Sequence, residues 1–94
     1  MKLSNGQKGK ILDKLQQEGA ISVSVFGSFA RDEANEESDI DILVEFESPK
    51  SLIEISRIQR ELEGDLGREI DLVTENSLSP YIRERMDNLE VLMA

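Results

Sequence analysis

Cysteine and histidine are both missing from the 94 residues. Without cysteine there is no disulfide framework and no thiolate metal site. Without histidine, imidazole acid–base catalysis and histidine-ligated zinc are excluded. No apolar run approaches the length of a membrane span, and the N-terminus carries no signal-peptide pattern. Positive charge is also short: 11 Lys and Arg against 20 Asp and Glu leave a formal charge of −9. That deficit argues against a nucleic-acid groove, which needs a field of basic residues, and suits a bound cation or a basic protein partner. A single domain over residues 1–94, soluble and cytoplasmic, is expected, with one small core.

The charges are unevenly distributed. Lys2, Lys8, Lys10 and Lys14 fall in the first segment, whereas residues 32–47 are heavily acidic. Residues 4–18 read as a helix, with Ser4 and Gln7 at capping-box spacing, an apolar stripe of Ile11, Leu12 and Leu15, and Gly19 at its end. Residues 21–26 alternate and are β-branched, so they read as a strand that must turn at Gly27-Ser28. Ser28 is placed to cap a short helix over about 28–34, before an acidic loop over 32–38 and a second strand over 39–46.

After Ser48-Pro49, Ser51 and Glu54 open a helix carrying Leu52, Ile55, Ile58, Leu62 and Leu66, which Gly67 closes. A third strand follows over 68–73. A last helix is expected after Ser79-Pro80, carrying Leu78, Ile82, Met86 and Leu89, and residues 90–94 are apolar enough to dock. The sum is an α/β (α+β) sandwich: a small mixed sheet with helices over its apolar face.

Alternate strand residues point to opposite faces, so Asp39 and Asp41 share one face and Ile40, Ile42 and Val44 the other. Asp is a poor strand former, and two on one face carry a like-charge cost that a cation would relieve. If the second and third strands are neighbours, Asp71 joins them, with Glu69 on the same face as a rival ligand. Hard cations such as magnesium take oxygen ligands of this type. Gly27 lets backbone approach a ligand and Ser28 supplies a hydroxyl, which suits a phosphate or an ordinary strand-ending turn. Arg31 is placed either to touch a phosphate or to pair with Asp32 or Glu33.

Gly27-Ser28, a ten-residue gap and then Asp39-x-Asp41 resemble the motif of the DNA polymerase β-like nucleotidyltransferase superfamily. The run from Phe26 to Arg31, the Ser38-Asp39-Ile40-Asp41 run and the stretch from Leu66 to Val73 resemble its minimal nucleotidyltransferase (MNT) members. The resemblance implies that Asp39, Asp41 and Asp71 bind two magnesium ions and that Gly27 and Ser28 hold ATP. It also implies an antitoxin that pairs, as a hetero-oligomer, with a HEPN-domain ribonuclease toxin and moves AMP onto a tyrosine of it. One position departs from the pattern: Asp32 follows Ala30-Arg31 where relatives often carry glycine, adding negative charge near the phosphate loop. The chain also lacks the domain that positions an acceptor in larger relatives, which favours a protein acceptor. Inhibition of the partner by occupancy alone, and transfer to a small molecule or RNA, are the competing readings.

Overall fold

The computed structural model describes residues 1–75 and 88–93. Helix α1 (Asn5–Gln17) starts where the capping box predicts: Ser4 Oγ accepts from the Gln7 N–H at 3.1 Å, and the Ser4 N–H donates to Gln7 Oε1 at 2.9 Å. Strand β1 (Ala20–Phe26) follows, then a turn-rich connection, then β2 (Ile40–Phe46). Helix α2 (Leu52–Leu66) is capped by Ser51, whose Oγ accepts from the Glu54 N–H at 3.1 Å. Glu54 does not complete a capping box, because its carboxylate meets the Ser51 hydroxyl rather than the Ser51 N–H. Gly67, left-handed at φ 63, ends α2 by donating to the Glu63 carbonyl at 2.8 Å. Strands β3 (Ile70–Thr74) and β4 (Glu90–Met93) complete the order.

The strands form one mixed sheet in the order β3-β2-β1-β4. β1 runs antiparallel to β2 and to β4, while β2 and β3 are parallel and joined through α2. A parallel pair needs a crossover of a dozen or more residues, which α2 supplies. Both helices cover the sheet face carrying Val23, Val25, Ile40, Ile42, Val44, Ile70 and Leu72, where Ile11, Leu15, Ile58 and Leu62 are fully buried. Cutting Leu62 to Ala there costs about 2–5 kcal/mol, a large part of what so small a core supplies. The same face therefore carries the fold, and the opposite face of β2 and β3 carries the acids.

α1 and α2 are tied by polar contacts as well. Lys14 Nζ lies 2.7 Å from Glu61 Oε1, and Arg57 bonds both Glu61 and Glu18 at 2.9 Å. β3 is an edge strand, yet its outward N–H groups are occupied: Ile70 donates to Glu63 Oε2 at 3.0 Å and Leu72 to Gln59 Oε1 at 3.2 Å. Residues 59 and 63 stand one helical turn apart, so their side chains reach strand positions two residues apart.

The fold departs from the sequence expectation in several places. The short helix over 28–34 does not form, and residues 27–32 make successive single turns. Left-handed backbone at Gly27 (φ 72) and Asp32 (φ 59) brackets the segment and stops a helix from propagating. Leu52 is 81% exposed rather than core. It lines a cleft of about 230 Å³ of mixed character, with Phe46, Pro49, Ile55 and Leu72 beside Lys50 and Thr74, on the helix-covered side of the sheet. Residues 90–93, whose state the sequence leaves open, are strand β4. The helix expected after Ser79-Pro80 falls on residues 76–87, outside the described residues. Among the described residues no helix is long and apolar enough to cross a membrane.

Candidate active site

The sheet register puts the carboxylates together. Asp41 lies directly beside Asp71 in the parallel β2–β3 ladder, and Asp39 and Glu69 are the residues just before the paired Ile40 and Ile70. The Ile40 N–H donates to the Glu69 carbonyl at 3.0 Å, carrying the pairing to that level. Four acids thus occupy two rungs on one face: Asp39 with Glu69, and Asp41 with Asp71. They differ in exposure. Asp41 is 7% exposed, whereas Asp39, Glu69 and Asp71 face outward.

The crowding has an electrostatic signature. The Glu69 carboxyl is pushed above the usual glutamate value, first by a hydrogen bond shared with Asp39 and then by the charge of Asp39. Among the described residues the acids are aligned by strand register but are not gathered into a ready cluster of three metal ligands. Their chemistry fits magnesium, since every donor is a hard oxygen and the excess of negative charge is what a divalent cation would neutralise.

Gly27 ends β1 beside them. Phe26 is the ladder partner of Asp41, which brings the next residue against the Asp41 side chain. A Cβ at position 27 would collide with Asp41 Oδ2 and stand 3.1 Å from Asp41 Cγ. Glycine is required there twice, by the left-handed φ of 72 and by the carboxylate in the place of a side chain. From Gly27 the backbone folds back on itself: its carbonyl accepts from the Arg31 N–H at 3.2 Å, and the Ser28 carbonyl from the Glu33 N–H at 2.9 Å. Ser28 is half-buried in this turn.

Arg31 adopts the second of the two arrangements open to it, with Nε 3.1 Å from Glu33 Oε2. Asp32 pairs instead with the N-terminal amine at 2.8 Å, which lowers its carboxyl first through that hydrogen bond and then through the amine charge. The φ of 59 at Asp32 also gives a backbone reason for a glycine preference at this position.

Of the sequence candidates, the structure therefore aligns Asp39, Asp41 and Asp71 on one sheet face and sets Gly27 against Asp41, with Ser28 on the adjoining turn and Arg31 turned to Glu33. Sequence reasoning passes over Arg68, which binds the loop leading into Asp39. The available signal is the Asn35-x-x-Ser38 spacing, a self-closing turn whose carbonyls need an outside donor.

The chain is similar to known proteins over nearly its whole length. The nucleotidyltransferase domain family matches residues 8–90. A candidate protein adenylyltransferase of Methanocaldococcus jannaschii is 48% identical over 84 residues, covering 89% of this chain and 90% of that protein. A crystal structure of a toxin–antitoxin with AMP-PNP superposes with a TM-score of 0.84 at 23% identity, covering 93% of this chain and 73% of the other. A tri-AMPylated Shewanella oneidensis HEPN toxin in complex with an MNT antitoxin gives a TM-score of 0.80 at 21% identity, covering 98% and 73%. At those identities the two structures speak for the fold, and the archaeal relative and the domain match speak for the family. On both grounds the chain belongs to the nucleotidyltransferase domain family and groups with its protein adenylyltransferases.

Proposed function

We propose that this protein is a magnesium-dependent nucleotidyltransferase that moves AMP from ATP to a tyrosine hydroxyl of a HEPN-domain toxin, and that it acts as the antitoxin of that partner in a hetero-oligomer. The observation that carries the reading is the pairing of Asp41 with Asp71 across β2 and β3, with Asp39 one rung away and Gly27 against Asp41. A surface built only to cover a partner has no use for acids stacked at the cost of their mutual repulsion.

In this reading Asp39, Asp41 and Asp71 hold the magnesium, at two ions per site. Glu69 crowds Asp39 on the same rung, a repulsion that a bound cation would relieve. Bound magnesium supplies charge neutralisation of the triphosphate and activation of the acceptor oxygen. The Gly27-Ser28 turn offers the phosphates backbone N–H groups and a hydroxyl, as turns entered through left-handed backbone do. Arg31 reaches a phosphate by exchanging its contact with Glu33, a surface pair worth little. The acceptor oxygen bonds to the α-phosphorus as that phosphorus parts from the oxygen bridging it to the β-phosphate, the hydroxyl proton passes to solvent, and pyrophosphate departs.

The relatives support this assignment. The M. jannaschii relative is a candidate protein adenylyltransferase, and the two superposed complexes are a toxin–antitoxin with AMP-PNP and an AMPylated HEPN toxin with an MNT antitoxin. The net charge of −9 counts against direct nucleic-acid binding. ATP as donor and a ribonuclease as acceptor both fit the cytoplasm. The test is incubation with ATP, magnesium and the product of the neighbouring gene, followed by intact-mass measurement of that product. Mass gains in steps of one AMP are expected. Full inhibition of an unmodified partner, reversed when this protein is removed, would establish occupancy instead.

A further inference from the structure

Arg68 sits in the α2–β3 connection, one residue past Gly67 and three before Asp71. Its Nη1 donates to the carbonyls of Ser38 at 2.8 Å, Asn35 at 2.9 Å and Glu36 at 3.2 Å. The guanidinium carbon stands 5.0 Å from the centre of the Phe29 ring, which is itself 1% exposed. These partners belong to different segments. Phe29 follows Gly27-Ser28, and Ser38 precedes Asp39. One side chain thus touches both segments that flank the acidic face, from a backbone that leads directly into β3.

Ala34, buried in the core, anchors the start of the loop, and among the described residues the side-chain bonds beyond it lie mostly within the loop itself. Asn35 Oδ1 accepts from the Glu37 N–H at 2.8 Å, Ser38 Oγ from the Asn35 N–H at 2.9 Å, and the Asn35 carbonyl from the Ser38 N–H at 3.1 Å. Those bonds close the turn on itself and turn its carbonyl dipoles toward an outside donor. All three bonds leave one nitrogen, Nη1, so what a guanidinium adds over an ammonium is the planar face that stacks on the Phe29 ring while Nη1 bonds the loop. Asp39 lies next to this loop and beside Glu69, so its own charge works to push it off the sheet. Arg68 opposes that displacement.

We propose that Arg68 is the positioning residue of the acidic site: it fixes the Gly27-Ser28 turn and Asp39 at a set spacing from Asp71, and thereby sets the affinity for a magnesium-bound nucleoside triphosphate. The ligand named here rests on the AMP-transfer reading, whereas the clamp itself does not.

The experiment compares wild type with Arg68→Met, which keeps an unbranched stem over Phe29, and Arg68→Lys, which keeps the charge and loses the planar face over the ring. Amide hydrogen exchange and calorimetry with magnesium and AMP-PNP are measured on each. In Arg68→Met, exchange should rise about tenfold or more across residues 29–39 while the central amides of β1 and β2 stay within about twofold. AMP-PNP affinity should fall about tenfold, and millimolar guanidinium should restore part of it where ammonium at the same concentration does not. Should Arg68→Met fail to fold, Arg68→Lys decides, with the same loop-confined rise expected. Unchanged loop exchange, or a rise spread evenly over the central strands, overturns the proposal, the latter because it marks a general stability role. Failure of the wild type to bind magnesium AMP-PNP would sink the AMP-transfer reading instead, and the exchange comparison would still decide the clamp.

Discussion

Asp41 occupies the space that a side chain at position 27 would need. The carboxylate and the glycine are one device, since Asp41 is buried only because Gly27 leaves room for it. Gly27→Ala must then strain a φ of 72 and also displace Asp41. Gly67→Ala provides the control, because Gly67 has a φ of 63 and open space within 4 Å of where a Cβ would lie. The control should lose about 1–2 kcal/mol from left-handed strain alone. Gly27→Ala should lose more stability than that and bind magnesium AMP-PNP at least about tenfold more weakly, since one carboxylate is pushed out of line. Thermal melting and calorimetry on the pair check it, and equal effects at both glycines would count against the shared site.

Asp71 and Glu69 point to the same face but are assigned different work. Asp71→Asn keeps shape and removes a charge facing Asp41, so stability should hold or rise slightly. AMP transfer should fall by about two orders of magnitude or more. Glu69→Gln removes the like charge beside Asp39 and puts an amide donor there instead, so it should cost far less activity. Transfer kinetics and melting of both variants settle the assignment, and activity that follows Glu69 while ignoring Asp71 would reverse it.

Much of this arrangement is legible in the chain because it rests on short-range rules. Alternation places Asp39 with Asp41 and Asp71 with Glu69, and Ser4, Ser51 and Gly67 mark helix ends through local backbone chemistry. Adjacency of β2 and β3 is only a condition in the sequence, because register is set by pairing between residues about thirty positions apart. The turn over 27–32 reads as helical because Asp32 does not announce its left-handed backbone as glycine would. Leu52 keeps helical spacing yet ends outside the core, since periodicity does not tell where the underlying sheet stops. Arg68 is harder to see for a related reason: the Asn35-x-x-Ser38 spacing marks the turn, but its carbonyls do not name the distant donor that meets them.

The contacts between α1 and α2 make stability acid-sensitive. Glu18 is lowered from its usual value chiefly by the Arg57 hydrogen bond, and Glu61 chiefly by that of Lys14. A carboxyl held low in the fold contributes stability above its unfolded value of 4.5 and loses it as pH falls through the lower folded value. Glu69 works the other way, because its raised carboxyl takes up a proton early and relieves repulsion with Asp39. Arg57→Ala should therefore flatten the decline in melting temperature below about pH 5, and the difference from wild type should shrink in high salt. Parallel pH profiles for the two proteins would exclude this origin.

The edge of β3 should depend on α2 for its protection. Gln59 and Glu63 occupy the N–H groups of Leu72 and Ile70, which would otherwise be open to another strand. Replacing both by Ala should cost about 1 kcal/mol for each lost bond and promote concentration-dependent self-association. Sedimentation velocity over a range of concentrations, run beside an exposed control such as Arg60→Ala, reports it. A double variant as monomeric as the control would show that the edge is guarded by something other than these two side chains.

Asp32 carries two opposed effects that one substitution separates. Its left-handed φ of 59 disfavours a residue with a Cβ, while its carboxylate pairs with the N-terminal amine at 2.8 Å. Asp32→Gly removes up to about 1 kcal/mol of backbone strain and gives up an exposed, solvent-screened ion pair of small net worth. Stability should consequently change by less than about 1 kcal/mol, because the two contributions offset. Binding of a polyphosphate should respond more clearly, since one negative charge leaves the neighbourhood of the Gly27-Ser28 turn, five and four residues away in the chain. Magnesium AMP-PNP should bind about two- to fivefold more tightly at low salt, with the gain fading toward high salt as screening takes over. Calorimetry at two ionic strengths makes the measurement. Asp32→Asn, which removes the charge and tolerates the same backbone, should reproduce the gain in affinity. If only the glycine variant gains, backbone freedom rather than charge is what Asp32 withholds from the turn.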